Sequence, residues 1–227
     1  MKICGLQKTT LLDFPGFVAA AIFTGGCNFR CPYCQNSLLI NPSEFLPTEE
    51  ILEFLKKRRN VLEGVCISGG EPTLQADLPA FLSQVKTLGY SIKLDTNGYQ
   101  PDMLITLCNE GLIDYVAMDI KSSLLEYPKI CRIPHMDTAL IEKSVSFLMK
   151  GKIPYEFRTT VVKEFHRKSD FCQIGQWLQG CRAYYLQNYQ ESERVLCPGL
   201  HGYPKSELLS FTDILKTYIP NTFLRGI

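Results

Sequence analysis

The sequence predicts an α/β fold, an open partial (β/α)6 barrel with parallel strands. Apolar runs of strand length alternate along the chain with amphipathic stretches of helical period. Repeated strand–helix–strand units of this kind give parallel strands with helices covering the sheet. Six such units are too few for a full eight-stranded barrel, and a doubly wound sheet is the alternative. The length of 227 residues fits one domain, and we expect residues 1–227 to form it.

Each predicted element follows from a local pattern. Predicted strands lie at residues 18–23, 64–68, 91–95, 115–120, 155–162 and 183–187. Predicted helices lie at residues 48–59, 78–88, 101–109, 138–149, 169–178 and 205–218. Prolines and glycines predict loops at residues 128–134 and 197–204, and the second of these could move as a flap.

The charge and the apolar content of the chain exclude several classes of protein. The net charge of +1 argues against nucleic-acid binding, and the one basic run, residues 56–59, ends a predicted helix, where cations complement the helix dipole. The longest apolar stretch, residues 17–23, is too short to span a bilayer, so we expect no membrane contact. No secretory signal is expected, because the chain turns polar soon after Met1. The ten cysteines need no disulfides in a chain of this length, and the cytoplasm is the default location.

Three cysteines form the first motif of chemical interest. Cys27, Cys31 and Cys34 have the spacing C-x-x-x-C-x-x-C and follow Gly25 and Gly26. This spacing supplies three thiolates to an iron–sulfur cube and leaves one iron open for chemistry. A structural zinc site is the rival interpretation, but zinc needs a fourth cysteine or histidine, usually in a second pair. The three histidines of the chain form no such pair.

Polar motifs follow the first four predicted strands. The first strand leads into the cysteine motif, and the next three end in residues 68–72, 95–98 and 118–121. Active sites of parallel α/β folds gather at the carboxyl ends of the strands, so we expect these segments to share one rim.

The second and third of these motifs also have structural interpretations. Gly69-Gly70-Glu71-Pro72 could be a tight turn from strand to helix. In the functional interpretation the glycines let backbone carbonyls approach a ligand ammonium, and Glu71 adds charge or braces the loop. Residues 95–98 offer oxygens for sugar hydroxyls or a cation, or they form a plain Asx turn.

Charged residues near the later strands leave similar alternatives open. Asp119 and Lys121 flank a strand end and could be a surface ion pair of little energetic consequence. Arg158 lies inside a predicted strand, so its side chain points into the barrel interior or the outer layer. A buried arginine needs an anion, which a ligand carboxylate or a nearby aspartate could supply.

Together these segments resemble a known family. The cysteine motif followed by Gly69-Gly70-Glu71-Pro72 is similar to the radical S-adenosylmethionine superfamily. Residues 6–16 and 23–36 resemble the glycyl-radical-enzyme activases, and among these the anaerobic ribonucleoside-triphosphate reductase activating proteins. The resemblance covers most of the chain and is strongest from residue 5 to about residue 121.

The resemblance implies two metal sites. Cys27, Cys31 and Cys34 would hold a [4Fe–4S] cluster. Asp95 and Asp119 match positions that hold a monovalent cation in the related formate-lyase activases. The ferredoxin insertion that some activases carry is not found, so a single cluster is expected.

The resemblance also implies a binding site for S-adenosylmethionine. The residues implied to contact this cofactor are Tyr33, Gly69, Gly70, Glu71, Thr96, Asn97, Lys121 and Arg158. Tyr33 would lie near the adenine, and the glycine-rich loop would receive the methionine ammonium. Thr96 and Asn97 would face the ribose or the carboxylate.

The activity that the resemblance implies is enzymatic. The protein would reductively cleave S-adenosylmethionine to a 5′-deoxyadenosyl radical and abstract a glycine hydrogen from a partner glycyl radical enzyme, in particular an anaerobic ribonucleotide reductase. An electron donor such as flavodoxin or ferredoxin would be a second partner. No side chain is assigned as a catalytic acid or base. Radical chemistry on a small molecule or peptide is the alternative, and a non-catalytic zinc- or cluster-binding module is a third hypothesis.

Overall fold

The computed structural model describes residues 1–226, and its strands form one open sheet in the order of the sequence. The eight strands are β1 (Ile3–Thr10), β2 (Ala19–Thr24), β3 (Gly64–Gly69), β4 (Ser91–Thr96), β5 (Tyr115–Asp119), β6 (Tyr155–Val161), β7 (Tyr184–Asn188) and β8 (Thr222–Arg225). Strand β1 is antiparallel to β2, whereas β2 to β4 and β6 to β8 pair in parallel. The expected α/β class with an open, mainly parallel sheet is therefore confirmed.

Helices alternate with most of these strands. They are α1 (Thr48–Arg58), α2 (Leu78–Thr87), α3 (Pro101–Asn109), α4 (Tyr127–Cys131), α5 (Ala139–Lys150), α6 (Lys168–Trp177) and α7 (Lys205–Lys216). Short 3-10 turns lie at Ser37–Leu39 and Pro72–Leu74. None of the helices in residues 1–226 has the length and apolar content that crossing a bilayer requires.

The sequence analysis located six strands and six helices within two residues of their observed ends, and it missed three elements. Strand β1 was missed because its residues 7–9 are polar and exposed, as on a sheet edge. Strand β8 has only four residues, which is too short for a periodic signal. The expected count of six strands is thus wrong, and so is the expected loop at residues 128–134, which overlaps α4.

The chain divides into two compact units. The first contains residues 1–28, 38–117 and 152–154. Its central strands β2 and β3 are buried on both faces, as the short apolar runs of a covered parallel sheet require. Phe14 packs against Phe17 and Tyr115 beneath these strands.

The second unit contains residues 29–37, 118–151 and 155–227, described here to residue 226. Helices α6 and α7 pack together through the rings of Phe171 and Phe211, whose centroids lie 4.6 Å apart. In strand β6 the Thr159 hydroxyl donates to the Ile120 carbonyl and lies 2.5 Å from the Tyr184 hydroxyl. These bonds fix the segment that follows β5.

Candidate functional site

None of the three motif cysteines is in a disulfide. Cys27 belongs to the first unit, whereas Cys31 and Cys34 belong to the second. Within residues 1–226 no group of three or more His, Cys, Asp or Glu side chains is arranged to hold a metal ion. The cluster ligand set therefore stays a prediction from the motif.

In the first unit, the glycine-rich loop after β3 lies against the backbone that precedes Cys27. Gly69 has a φ of +120°, and a Cβ there would lie 2.3 Å from the Thr24 nitrogen. A Cβ on Gly70 would lie 2.1 Å from the Gly26 carbonyl oxygen. That oxygen accepts a 2.8 Å hydrogen bond from the Glu71 N–H. Both glycines are thus needed for this close approach of two backbone segments, whatever else the loop binds.

Glu71 is the buried centre of this loop, with only 1% of its surface exposed. One carboxylate oxygen accepts from the Thr73 N–H (3.1 Å), the Thr73 hydroxyl (2.5 Å) and the Thr96 hydroxyl (2.7 Å). The other accepts from the Asn97 N–H at 2.7 Å. Burial raises the pKa of Glu71, and these four hydrogen bonds act in the opposite direction. The carboxylate therefore braces the loop after β3 against the loop after β4.

The structure brings together three residues that the sequence analysis singled out, namely Glu71, Thr96 and Asn97. Besides its backbone contact, Asn97 donates from Nδ2 to Asn28 Oδ1 at 2.7 Å and accepts from the Tyr99 N–H at 3.0 Å. Its side chain is therefore engaged by its own chain at both ends. Asn28, directly after Cys27, was not singled out from the sequence because a lone asparagine carries no pattern.

Asp95 lies at the end of β4 and is paired within the first unit. Its carboxylate accepts from the Lys93 ammonium and from the Ser68 hydroxyl, the latter at 3.0 Å. Lys93 is 2% exposed and also lies 3.8 Å from Cys66 Sγ. A buried ammonium needs such an anion, because its unpaired charge would be costly in the protein interior.

In the second unit the structure gathers Asp119, Lys121 and Arg158. Lys121 Nζ donates to Asp119 Oδ2 at 2.9 Å, and Arg158 Nε donates to Asp119 Oδ1. Burial opposes ionisation, but the charges of Arg158 and Lys121 hold the pKa of Asp119 below its usual range. The anion that Arg158 requires is thus Asp119. Two cations share this one carboxylate.

The monovalent cation expected at Asp95 and Asp119 does not fit these contacts. Each carboxylate already accepts from cationic side chains of its own unit, Lys93 in one case and Lys121 with Arg158 in the other. A bound cation would share each carboxylate with these ammonium and guanidinium groups, whose positive charge repels it. We derive no step through it.

Tyr33 lies buried between the second and third motif cysteines in the chain. Its ring centroid lies 6.0 Å from that of Phe165 and 6.3 Å from that of His166. Its hydroxyl is buried and has no hydrogen-bond partner within residues 1–226. Desolvation keeps this phenol protonated, because burial raises its pKa.

His166, to which the sequence assigned no role, holds this side of the second unit together. It is fully buried, accepts from the Val162 N–H at Nδ1 (3.0 Å) and contacts the Lys121 carbonyl through Nε2 (2.8 Å). The neutral ring protonated at Nε2 satisfies both contacts. Because its partners are backbone atoms, one of them 45 residues away in the chain, no motif could have revealed it.

The segment that carries Cys31 and Cys34 is tied to residues after β7. The N–H groups of Leu196 and Cys197 donate to the carbonyls of Cys34 and Pro32 at 3.2 and 2.8 Å. The side chain of Gln35 donates to the Gln190 carbonyl at 2.7 Å. A hydrogen bond with the Cys131 thiol lowers the pKa of Cys31, whereas burial raises that of Cys34. These contacts tether the segment after β7, part of which the sequence analysis treated as a flap.

Comparison with known proteins identifies the class. The family model described as the radical SAM superfamily matches residues 21–170. This range includes the cysteine motif, the glycine-rich loop and the segments that follow β4, β5 and β6. The chain belongs to the radical S-adenosylmethionine superfamily, whose members use a [4Fe–4S] cluster and S-adenosylmethionine.

One relative and two solved structures show which kinds of protein within this class the chain is similar to. The chain is 30% identical over 240 residues to a Methanocaldococcus jannaschii protein named as a putative glycyl-radical enzyme activating enzyme, covering 99% of this chain and 96% of that one. SuiB of Streptococcus suis, solved with its precursor peptide SuiA, superposes with a TM-score of 0.71 at 14% identity over 91% of this chain and 48% of its own. A domain of the pyruvate-formate lyase-activating enzyme from Bacteroides vulgatus gives 0.56 at 17% identity, over 72% and 99%. These structures confirm the open partial-barrel fold class.

We expect Glu71→Gln to destabilise the protein by about 1–3 kcal/mol. An amide presents one acceptor oxygen and one NH2 group, so at least one of the four donors around Glu71 would lose its partner in a buried place. Urea unfolding of the cluster-free protein measures this. Glu110→Gln, at an exposed position after α3, is the matched control, and equal stabilities of the two variants would contradict the bracing role.

We expect Lys93→Met to cost about 3–5 kcal/mol, because it leaves the Asp95 carboxylate without its buried counter-charge. The control Lys86→Met breaks a more exposed pair with Asp114 and should cost less than about 1 kcal/mol. Adding Asp95→Asn to Lys93→Met should restore part of the lost free energy of unfolding. Thermal and urea unfolding compare the variants, and no recovery in the double variant would argue against this pairing.

Burial lowers the pKa of His166 below its ordinary value of 6.5. The unfolded chain therefore binds a proton at a higher pH than the folded one, so His166 stabilises the fold above pH 6.5 and that contribution falls as the pH drops through the folded pKa. His166→Phe should cost about 1–3 kcal/mol at neutral pH and reduce this acid dependence. Unfolding free energies on both sides of pH 6.5 test the effect. His135→Asn, at an exposed position, should keep the dependence of the unmodified protein.

Proposed function

We propose that this protein is a glycyl-radical-enzyme activase whose partner is an anaerobic ribonucleoside-triphosphate reductase. The observation that carries the proposal is the match to a protein named as such an activating enzyme, which extends over 99% of this chain and 96% of that relative. An end-to-end match of this kind concerns the whole polypeptide and not only the shared cofactor domain. The choice of the reductase as partner rests on the resemblance of residues 6–16 and 23–36.

The residues available suit the proposed cofactors. Cys27, Cys31 and Cys34 are not in disulfides, and their thiols are the donors that a [4Fe–4S] cluster requires. The lowered pKa of Cys31 favours the thiolate. With S-adenosylmethionine bound, this cluster supplies an electron that cleaves a carbon–sulfur bond and yields a carbon radical able to take a glycine hydrogen. The orphaned polar atoms Asn28 Nδ2 and Tyr33 Oη also fit a bound molecule in each unit.

The first unit would position the amino acid end of S-adenosylmethionine. The loop of Gly69 and Gly70 would offer backbone carbonyls at the end of β3, which accept hydrogen bonds from an ammonium group. Glu71 holds this loop in one conformation through its four hydrogen bonds, so it acts by bracing the binding loop. Such preorganisation lowers the entropy cost of binding.

The second unit would supply positive charge and an aromatic surface. Lys121 and Arg158 are cationic side chains of the kind that pair with a carboxylate, and methionine carries one. The buried ring of Tyr33 offers an apolar face near the cluster cysteines for the adenine. We assign these roles on the chemistry of the side chains and on the matching motif positions.

The proposal also implies an electron donor and an anaerobic, reducing environment. The reduced cluster needs a one-electron donor such as flavodoxin or ferredoxin. Glycyl radicals and exposed iron–sulfur clusters require an anaerobic environment, and a chain whose ten cysteines form no disulfide is suited to the reducing cytoplasm.

Radical chemistry on a peptide or small molecule is the second candidate. The specific observation in its favour is the TM-score of 0.71 to SuiB, which was solved with its precursor peptide. At 14% identity this similarity shows a shared fold alone, so it carries less weight than the end-to-end match to the activating enzyme.

Cys31→Ala should abolish both the bound cluster and the activation of the partner, because two thiolates do not hold a [4Fe–4S] cube of the proposed type. The test reconstitutes each variant anaerobically and mixes it with S-adenosylmethionine, a reductant and the reductase. Electron paramagnetic resonance then measures the glycyl radical. The control Cys172→Ala, in helix α6, should give the same iron content and radical yield as the unmodified protein.

Two outcomes would overturn the activase proposal. One is cleavage of S-adenosylmethionine without any radical on a glycine of the reductase. The other is turnover of a free peptide or metabolite in the absence of the reductase, which supports the second candidate.

A further inference from the structure

Asn28 follows Cys27 directly, and one end of its carboxamide is hydrogen-bonded whereas the other end has no hydrogen-bond partner. Its Oδ1 accepts from Asn97 Nδ2 at 2.7 Å. Its Nδ2 is buried and has no hydrogen-bond partner anywhere in residues 1–226. Buried amide nitrogens are nearly always satisfied in folded proteins, so an exception calls for an explanation.

The hydrogen-bond network determines which end of this amide is the nitrogen. The backbone N–H of Tyr99 can only donate, and it lies 3.0 Å from the Asn97 carboxamide, so that atom of Asn97 is the oxygen. The other end of the Asn97 carboxamide is then the nitrogen, which donates to Asn28. The atom of Asn28 that receives this bond must be its oxygen. The unsatisfied atom is therefore an N–H donor.

The same network holds the Asn97 side chain in place within the first unit. Both ends of its carboxamide are used, one by Tyr99 and one by Asn28. Its backbone N–H is used by Glu71. In this part of the first unit, the buried donor that has no hydrogen-bond partner is Asn28 Nδ2, one residue from the first motif cysteine.

We propose that Asn28 Nδ2 donates a hydrogen bond to an oxygen of bound S-adenosylmethionine. This inference rests on the proposed use of that cofactor. Asn28 is then a cofactor-binding residue, and Asn97 is the positioning residue that orients its amide. The shared chemistry of the partner is an oxygen acceptor, which is either a carboxylate oxygen of the methionine portion or a hydroxyl oxygen of the ribose.

Asn28→Asp separates these two acceptors because it has nearly the same shape and keeps an oxygen for Asn97. If the acceptor is the methionine carboxylate, the negative charge introduced by Asn28→Asp repels that carboxylate. S-adenosylmethionine should then bind more weakly by a factor on the order of 100. If the acceptor is a ribose hydroxyl, the substituted carboxylate can instead accept a hydrogen bond from that hydroxyl. Binding should then change by less than about 3-fold.

Asn28→Ala removes the donor in both cases and should weaken binding by about 3–10-fold, which is what one lost hydrogen bond amounts to. Asn97→Ala is the companion variant, because it leaves the Asn28 donor present but unoriented. It should give a smaller loss of affinity than Asn28→Ala. Asn109→Asp, exposed at the end of α3, controls for the added charge.

The measurements are the iron content of each reconstituted protein and its dissociation constant for S-adenosylmethionine. The constant comes from equilibrium dialysis and from the change that binding makes in the electron paramagnetic resonance spectrum of the reduced cluster. Weaker binding to Asn28→Ala with an unchanged iron content supports the proposal. Binding to Asn28→Ala within about 2-fold of the unmodified protein, or a loss that Asn97→Ala reproduces in full, overturns it. Absence of S-adenosylmethionine binding by the unmodified protein would instead refute the proposed function.

Discussion

The buried carboxylate of Glu71 is the constraint on which the first unit depends. A carboxylate removed from water must be given hydrogen-bond donors, and the four that it receives come from Thr73, Thr96 and Asn97. Meeting that requirement fixes the loops after β3 and β4 relative to each other. The Glu71 N–H also binds the Gly26 carbonyl, so the backbone that leads into the cysteine motif is held by the same residue.

Charged side chains at other positions also need partners, and each finds them within its own unit. Lys93 and Asp95 neutralise each other in the first unit, and Asp119 is shared by Lys121 and Arg158 in the second. Charges fixed in this way keep their positions before any ligand arrives, which is how a binding site becomes preorganised. They also explain why an added monovalent cation has no obvious place beside either carboxylate.

The hydrogen bonds assign different roles to some residues than the sequence motifs do. Glu71 and Asn97 match positions of cofactor-contacting motifs, yet their polar atoms are satisfied within the chain. Asn28 was assigned no role from the sequence, yet it presents the unsatisfied donor. Hydrogen-bond accounting thus complements motif matching, because a motif records which residues occur together and not which atoms remain available.

The sequence by itself determined the alternation of strands and helices, the cysteine spacing and the superfamily, because periodicity and spacing are local properties of the chain. Six strands and six helices were found from such patterns, whereas the polar edge strand β1 and the short β8 were not. Only the tertiary structure decided which partners the polar groups take. Arg158 meets Asp119 across 39 residues, and His166 meets the Lys121 carbonyl across 45. Such contacts depend on how distant segments pack, and no local pattern encodes them.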